Sequence, residues 1–343
     1  MIHRLLLVGV LLGGIGVPAT AATAAAATAT TTTATTAADE QGSRRVFGLR
    51  DDRIFESSGL VDLGSLMATV NDSGDTSRVF VLDPESGETV GVTDFHTEVT
   101  DVEALAPAGN REVYVGDIGD NDRDREEVVV HRVPVGRGQR DVGPDSFRLA
   151  YPDGPHDAES LFTDRAGRLH LITKSFGGGT VYRAPKQMDP SGVNVLEPVG
   201  RVRGYVTDAA LLRGGRYLLV RSLQQATVYS MPDLEPVGSF ALPWQPQGEG
   251  VSVGPDGRIR ISTEGAGTPV YEVQLPSAVA RTMRDPQAPT ASASPDAVDP
   301  PGGVAVEDAG EADQDTTWLG WIAAAALATL AIGAGVALRR RWR

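Results

Sequence analysis

Carboxylates recur in this chain at two fixed places relative to short apolar runs, and carboxylates so placed hold hard cations or carry protons. The first place, where a run begins, is occupied by Ser58, Glu103, Glu159, Asp208 and Glu249. The second, at the end of the next run, is occupied by Asp72, Asp117, Lys174, Ser222 and Glu264. Oxygen donors without His or Cys suit calcium or magnesium rather than zinc. Two copies of Asp-x-Gly-Asp, Asp72-Ser73-Gly74-Asp75 and Asp117-Ile118-Gly119-Asp120, extend the pattern. The candidate Ca2+ ligands are therefore Asp72, Asp75, Glu103, Asp117, Asp120, Glu159, Glu249 and Glu264. Asp and Gly also build tight turns through side-chain to backbone hydrogen bonds, so turn chemistry stands beside metal ligation for both motifs. The stretch from Asp120 to Asp124 opens like an EF-hand loop, but Arg125 replaces the sixth-position glycine and His131 stands at position 12. That match fails.

Catalytic candidates are fewer. The chain has no Gly-x-Ser-x-Gly elbow, phosphate-binding glycine loop or His-Glu-x-x-His helix. His156 precedes Asp157 and Glu159 at the start of a run, where it would look toward Lys174 and act as a general base above a bound metal. Lys174 is one of two lysines, with Lys186, and would neutralise neighbouring carboxylates. His96, His131 and His170 read as surface residues without partners.

The elements that must position these groups are strands. From Arg44 to Pro276, runs rich in Val, Leu, Ile and Tyr alternate with Gly, Asp and Pro, and no helical period persists. A unit of three runs recurs five times at intervals of ~40 to 50 residues. Units of this size bury both faces of their sheets only when stacked, and radial stacking gives an all-β propeller of five blades. A sixth blade stays open in the long interval from Glu103 to Glu159, and a sandwich or solenoid would use similar strands. An extra strand from Arg45 to Arg50 would complete the last blade and leave no free edge. In a propeller, equivalent positions converge on the axis, so the recurrent acids would share one mouth.

The 343 residues contain no cysteine, which excludes disulfides, thiolate metal sites and Cys nucleophiles. Against 45 acidic residues stand 31 Lys and Arg, a net charge of -14 that argues against nucleic acid as partner. Residues 1–22 have the order of a secretory signal, and an Ala/Thr-rich leader follows to residue 43. After the 44–276 domain, an acidic Pro/Ala-rich segment over 277–317 reads as a disordered stalk. Residues 318–338 carry no charge and are long enough to span a bilayer, and the basic tail at 339–343 places the C-terminus in the cytoplasm. The expected arrangement is a single-pass membrane protein with its propeller outside.

The phrases Asp101-Val102-Glu103-Ala104-Leu105 and Gln247-Gly248-Glu249-Gly250-Val251 resemble the blade openings of bacterial phytase-like and esterase-like propellers. The stretches from Tyr151 to Glu159 and from Val115 to Asn121 are similar to a broad set of exported bacterial propeller proteins. The resemblance covers most of the chain from Ser57 to Leu275 and implies a propeller with a calcium-binding axial site. Ser58, Asp208 followed by Ala, Lys174 and Ser222 depart from that pattern, and these departures weigh against phosphatase activity. Two functions follow: a cell-surface binding or scaffold module for an extracellular protein or ligand, or a metal-dependent extracellular hydrolase of phosphoesters or esters.

Overall fold

The computed structural model describes residues 42–284 except 73 and 110. The expected signal, leader, membrane span and basic tail, with the stalk beyond residue 284, lie outside the described residues. Among the described residues no helix is long and apolar enough to cross a membrane.

After β1 (Ser43–Gly48), the first blade contains β2 (Ser57–Asp62), β3 (Met67–Asn71), β4 (Arg78–Leu82) and β5 (Thr89–Asp94). The second begins with β6 (Val102–Gly109), β7 (Glu112–Asp117) and β8 (Val128–Pro134), followed by β9 (Gly138–Asp141) and β10 (Asp145–Ala150). Blade three contains β11 (Ala158–Thr163), β12 (Leu169–Thr173), β13 (Thr180–Arg183) and β15 (Glu197–Arg201), while β14 (Val193–Val195), between the last two in sequence, joins blade two. Blade four is β16 (Asp208–Leu211), β17 (Tyr217–Arg221), β18 (Gln225–Ser230) and β19 (Pro236–Ala241); blade five is β20 (Gly248–Val253), β21 (Ile259–Thr263) and β22 (Pro269–Val273). A short helix, α1 (Ser277–Arg284), ends the described chain.

Five sheets result, each with one inner strand, and β2, β6, β11, β16 and β20 line the axis in a closed ring. The expected closing strand is present: β1 pairs antiparallel with β22, so the fifth blade is built from both ends of the domain. The sixth blade left open in the long interval is not there. Its extra residues become β9, which adds parallel to β5 at the rim of blade one, and β10, which pairs with β8 and then with β14. Too few strands fall in that interval to make a sheet of their own, so they extend their neighbours.

The core follows the strand period. Side chains alternate between the two faces of each sheet, and the buried apolar residues fall into five clusters, one at each seam between blades. Leu161 packs toward blade two and the next residue, Phe162, toward blade four. Phe47 of β1 and Val270 join Leu60, Phe80 and Leu82 at the closing seam. The start of the expected stalk differs from expectation, because α1 packs on β19: Val279 is buried, and the Tyr217 hydroxyl donates to the Met283 carbonyl at 2.5 Å.

Candidate functional site: an acidic axial mouth

Blade by blade, the same backbone device builds one end of the axis. In four blades the pairing of the inner strand with its neighbour slips near the start, between Ser57 and Leu60, Val102 and Ala104, Ala158 and Ser160, and Gly248 and Val251. A bulge leaves its extra residue out of the ladder and re-aims the side chain. The residues so released are Ser58, Glu103, Glu159 and Glu249. Blade four has no slip. Asp208 pairs directly with Arg221 there, and its carboxylate, fully buried, accepts from the backbone of Val251 at 2.7 Å and of Ala209 at 2.8 Å. It staples blade four to blade five, and Asp208 does not join the other acids.

A second recurring bond defines the strand-end position. The residue after the second strand donates its N–H to the residue leading into the inner strand: Asp72 to Glu56 at 3.0 Å, Gly119 to Asp101 at 3.1 Å, Lys174 to Asp157 at 2.8 Å and Glu264 to Gln247 at 3.1 Å. Asp117 falls out of register with this set. It pairs with Val102 as Asn71 pairs with Ser57, because Ile118, fully buried in the seam between blades two and three, takes up one residue before the chain reaches the axis. Asp117 instead accepts from the amides of Thr100 at 3.0 Å and Asp101 at 2.9 Å and pairs with Arg125 at 3.0 Å. Asn71 does the same work for Phe55 and Glu56, at 3.0 and 3.2 Å.

Other expected ligands are engaged in turns. Asp75 holds Arg78 at 2.6 Å and accepts from Asn71 Nδ2 at 2.7 Å. Asp120 accepts from the amides of Asp124 at 3.0 Å and Arg125 at 3.1 Å. Ser222, which stands in blade four where the other strand ends carry charge and is not an expected ligand, donates its N–H to the Gln225 carbonyl in the turn between β17 and β18.

Three acids converge. Carboxylate oxygens of Asp72, Asp101 and Glu103 all lie within 4.8 Å of one another. Gly119 keeps the space beside them open: a Cβ there would overlap the Asp101 carboxylate and come within 2.8 Å of Glu103 Oε1. Burial, then the charges of Glu159, Asp72 and Asp101, push the Glu103 carboxyl well above the usual range. Asp101 is raised to about 6, by burial first and then by Asp72 and Asp157. Glu159 is raised to about 7 by burial, opposed by the Lys174 ammonium paired with it. Burial raises Glu264 to about 7, with Asp72 and Glu56 adding to it. Glu249 is raised well above its ordinary value by burial, then by Glu159 and Glu264. These groups act on one another across four blades, so they share one mouth.

Against them stands Lys174. Burial disfavours its charge, but the adjacent Glu159 more than offsets this and raises its pKa. Its ammonium lies 5.3 Å from the centre of the Tyr205 ring. His156 belongs to a different cluster: its Nε2 is 3.0 Å from the Tyr182 hydroxyl and 3.2 Å from Asp153, and Tyr151 meets its ring edge to face. The partners of His156 are thus Tyr182, Asp153 and Tyr151, and those of Lys174 are Glu159 and Tyr205. His131 and His170, read from sequence as surface residues, are buried in strands; His131 Nδ1 bonds Ser146 at 2.8 Å, and His170 stacks on Phe162.

Asp101, Asp157 and Glu56 escaped the repeat reading, which tracked one acid per inner strand. The available signal was the pair Asp101-Val102-Glu103, repeated as Asp157-Ala158-Glu159. Acids two apart on an extended chain face the same side, so a doubled acid at a strand start marks two groups entering the mouth.

Among solved structures the domain is similar to a gluconolactonase from Xanthomonas campestris, at 13% identity and TM-score 0.44 over 69% of this chain and 86% of that one. It is also similar to the PQQ-bound aldose sugar dehydrogenase from Streptomyces coelicolor, at 11% identity and TM-score 0.39 over 68% and 98%. A luciferin-regenerating enzyme matches at 12% identity and TM-score 0.40 over 67% and 95%. No protein-family model matches the chain and no curated protein is similar to it in sequence, so the likeness of its blade openings to phytase-like and esterase-like propellers gains no support beyond the fold.

Proposed function

We propose that this protein is a cell-surface binding module whose propeller presents an acidic axial mouth organised by one divalent cation. The observation that carries this reading is the convergence of Asp72, Asp101 and Glu103 beside Gly119. Three buried or half-buried carboxylates from two blades repel one another unless protonated or joined by a cation. Their donor set, hard oxygen alone, favours calcium. A bound ion would supply charge compensation and clamp blade one to blade two; the chain's own residues orient the ligands, with Asp117 fixing the Asp101 backbone and Glu103 released by its bulge. The sequence features at both ends support export and a single membrane anchor, with the mouth outside the cell.

Binding is a better reading than hydrolysis because both catalytic candidates already have partners. Lys174 is held by Glu159 and Tyr205, and His156 by Tyr182 and Asp153. Calorimetric titration of the full-length protein in mild detergent with calcium, then with magnesium, tests the proposal. One saturable calcium site is expected, weakened at least tenfold by Asp101→Asn. Calcium-dependent turnover of a simple phosphoester or ester would replace this reading with the hydrolytic one. No calcium binding at all would end it.

A further inference from the structure

Exposed apolar side chains are concentrated around the mouth. Of the large hydrophobics exposed among the described residues, Phe55, Phe176, Leu223 and Trp244 lie on loops at this end of the axis, with Phe176 93% and Trp244 74% exposed. Each is tied to a mouth element. Phe176 follows Lys174 by two residues, and its ring is 5.2 Å from that of Tyr205. The Phe55 carbonyl accepts from Gly265, next to Glu264, at 2.9 Å. The Leu223 carbonyl lies against Gly248, next to Glu249. Trp244 precedes Gln245, which is locked to Arg221 at 2.6 Å and to Gln224 at 2.7 Å.

Two blades of this rim use equivalent positions differently. In blade three, the bulge acid Glu159 holds an ammonium from the strand-end position, Lys174, over an aromatic ring. In blade five, the bulge acid is Glu249 and the strand-end position is a second acid, Glu264. Glu249 is only 6% exposed, and its Oε2 has no hydrogen-bond partner. Arg221 lies nearby, but its Nη groups are spent on the carbonyls of Gly250 and Ser262 and on Gln245. Blade five thus repeats the carboxylate and the neighbouring apolar rim without the cation.

We infer that the blade-five side of the mouth receives a Lys or Arg side chain from a basic segment of a partner protein, seated on Glu249 and Glu264 and flanked by Trp244, Leu223 and Phe55. The inference rests on the reading of the mouth as a binding site and names its partner. Glu249 Oε2 is enclosed within the mouth, so a guest cation draws the carboxylate outward, supplies the donor it lacks and relieves repulsion between two acids. The aromatic faces attract it further, and the strongly negative chain steers basic partners toward it.

The test is calorimetric titration of the calcium-loaded full chain with hexalysine, with hexalysine acetylated on its ε-amines, and with maltohexaose. Hexalysine should bind with an affinity that falls as salt rises, and the acetylated form at least tenfold more weakly. Trp244→Ala and Glu249→Gln should each weaken hexalysine at least fivefold, while Glu235→Gln, which removes a remote exposed acid, should not. Equal hexalysine affinity in all three variants would overturn the inference, as would maltohexaose binding that depends on Trp244. Calcium bound normally without hexalysine binding sinks this inference alone. Hexalysine bound without any calcium site sinks the metal proposal alone.

Discussion

Gly119 shows how a residue without a side chain can define a site. Blades one, three and five place Asp72, Lys174 and Glu264 at the position where blade two has Gly119, so blade two leaves the mouth open where its neighbours fill it. The two carboxylates that take this space, Asp101 and Glu103, are the ones a Cβ would strike. Gly119→Ala is therefore expected to reduce calcium affinity at least tenfold while moving the melting temperature of the metal-free protein only slightly, because the carboxylates can swing toward solvent when no ion holds them. Titration calorimetry and thermal melts in chelator measure the two quantities separately. Equal calcium affinity in the variant would mean that the ion is held elsewhere.

At the level of elements, the domain depends on β1 closing the ring. A propeller whose last blade lacked its outer strand would expose the edge of β22 and part the seam between blades five and one. Phe47 carries much of this closure: it is 5% exposed, joins Leu49, Val270 and Phe80 in the closing cluster, and presses on Gly87, a turn residue of blade one at φ 73°. Truncating a buried Phe removes its transfer energy and leaves a cavity, a loss of about 3 to 5 kcal/mol. Phe47→Ala is expected to fall in that range in urea denaturation, whereas Arg44→Ala, whose side chain is 66% exposed and pairs with Glu272 at 3.2 Å, should cost less than about 1 kcal/mol. Equal effects would mean that β1 contributes backbone pairing and little packing.

The whole molecule has an unusual relation to pH. Carboxyls whose pKa is higher in the fold than in the unfolded chain make the folded state bind more protons, so they weaken the fold as pH rises. Asp101 is raised to about 6 and Glu159 and Glu264 to about 7, and burial also raises Glu103 and Glu249 well above their ordinary value. From an unfolded value of about 4, their contribution is whole near pH 4 and is lost between there and pH 7 or above. Burial lowers the pKa of His131 and His170, which acts in the opposite sense, with stability lost as pH falls below about 6.5. Five mouth carboxyls outweigh two histidines. In chelator, the melting temperature should drop by several degrees between pH 5 and pH 8, and calcium at pH 8 should restore it, since a ligand of the folded state alone stabilises it. Differential scanning calorimetry at both pH values decides the matter; a melting temperature that rose with pH in chelator would contradict it.

The strand-rich repeat, the closing strand near Arg45 and the recurrent acids at Glu103, Glu159 and Glu249 were legible from residue order, because alternation, turn residues and a repeating unit are local properties of a chain. Three features were not. Asp117 and Asp208 carry the right residue type at the right spacing, yet one buried Ile and one absent bulge turn them into backbone caps, and no local pattern reports a one-residue slip. Asp101 counts as a ligand candidate only because Asp72, from the neighbouring blade, arrives within 4.8 Å of it. His156 is bound by Tyr182 and Asp153, partners that its place before Asp157 and Glu159 does not reveal. Residue types decided that the axis would be acidic; the register of each blade against the next decided which acids meet there, since side-chain direction in a strand reverses with every residue of slip.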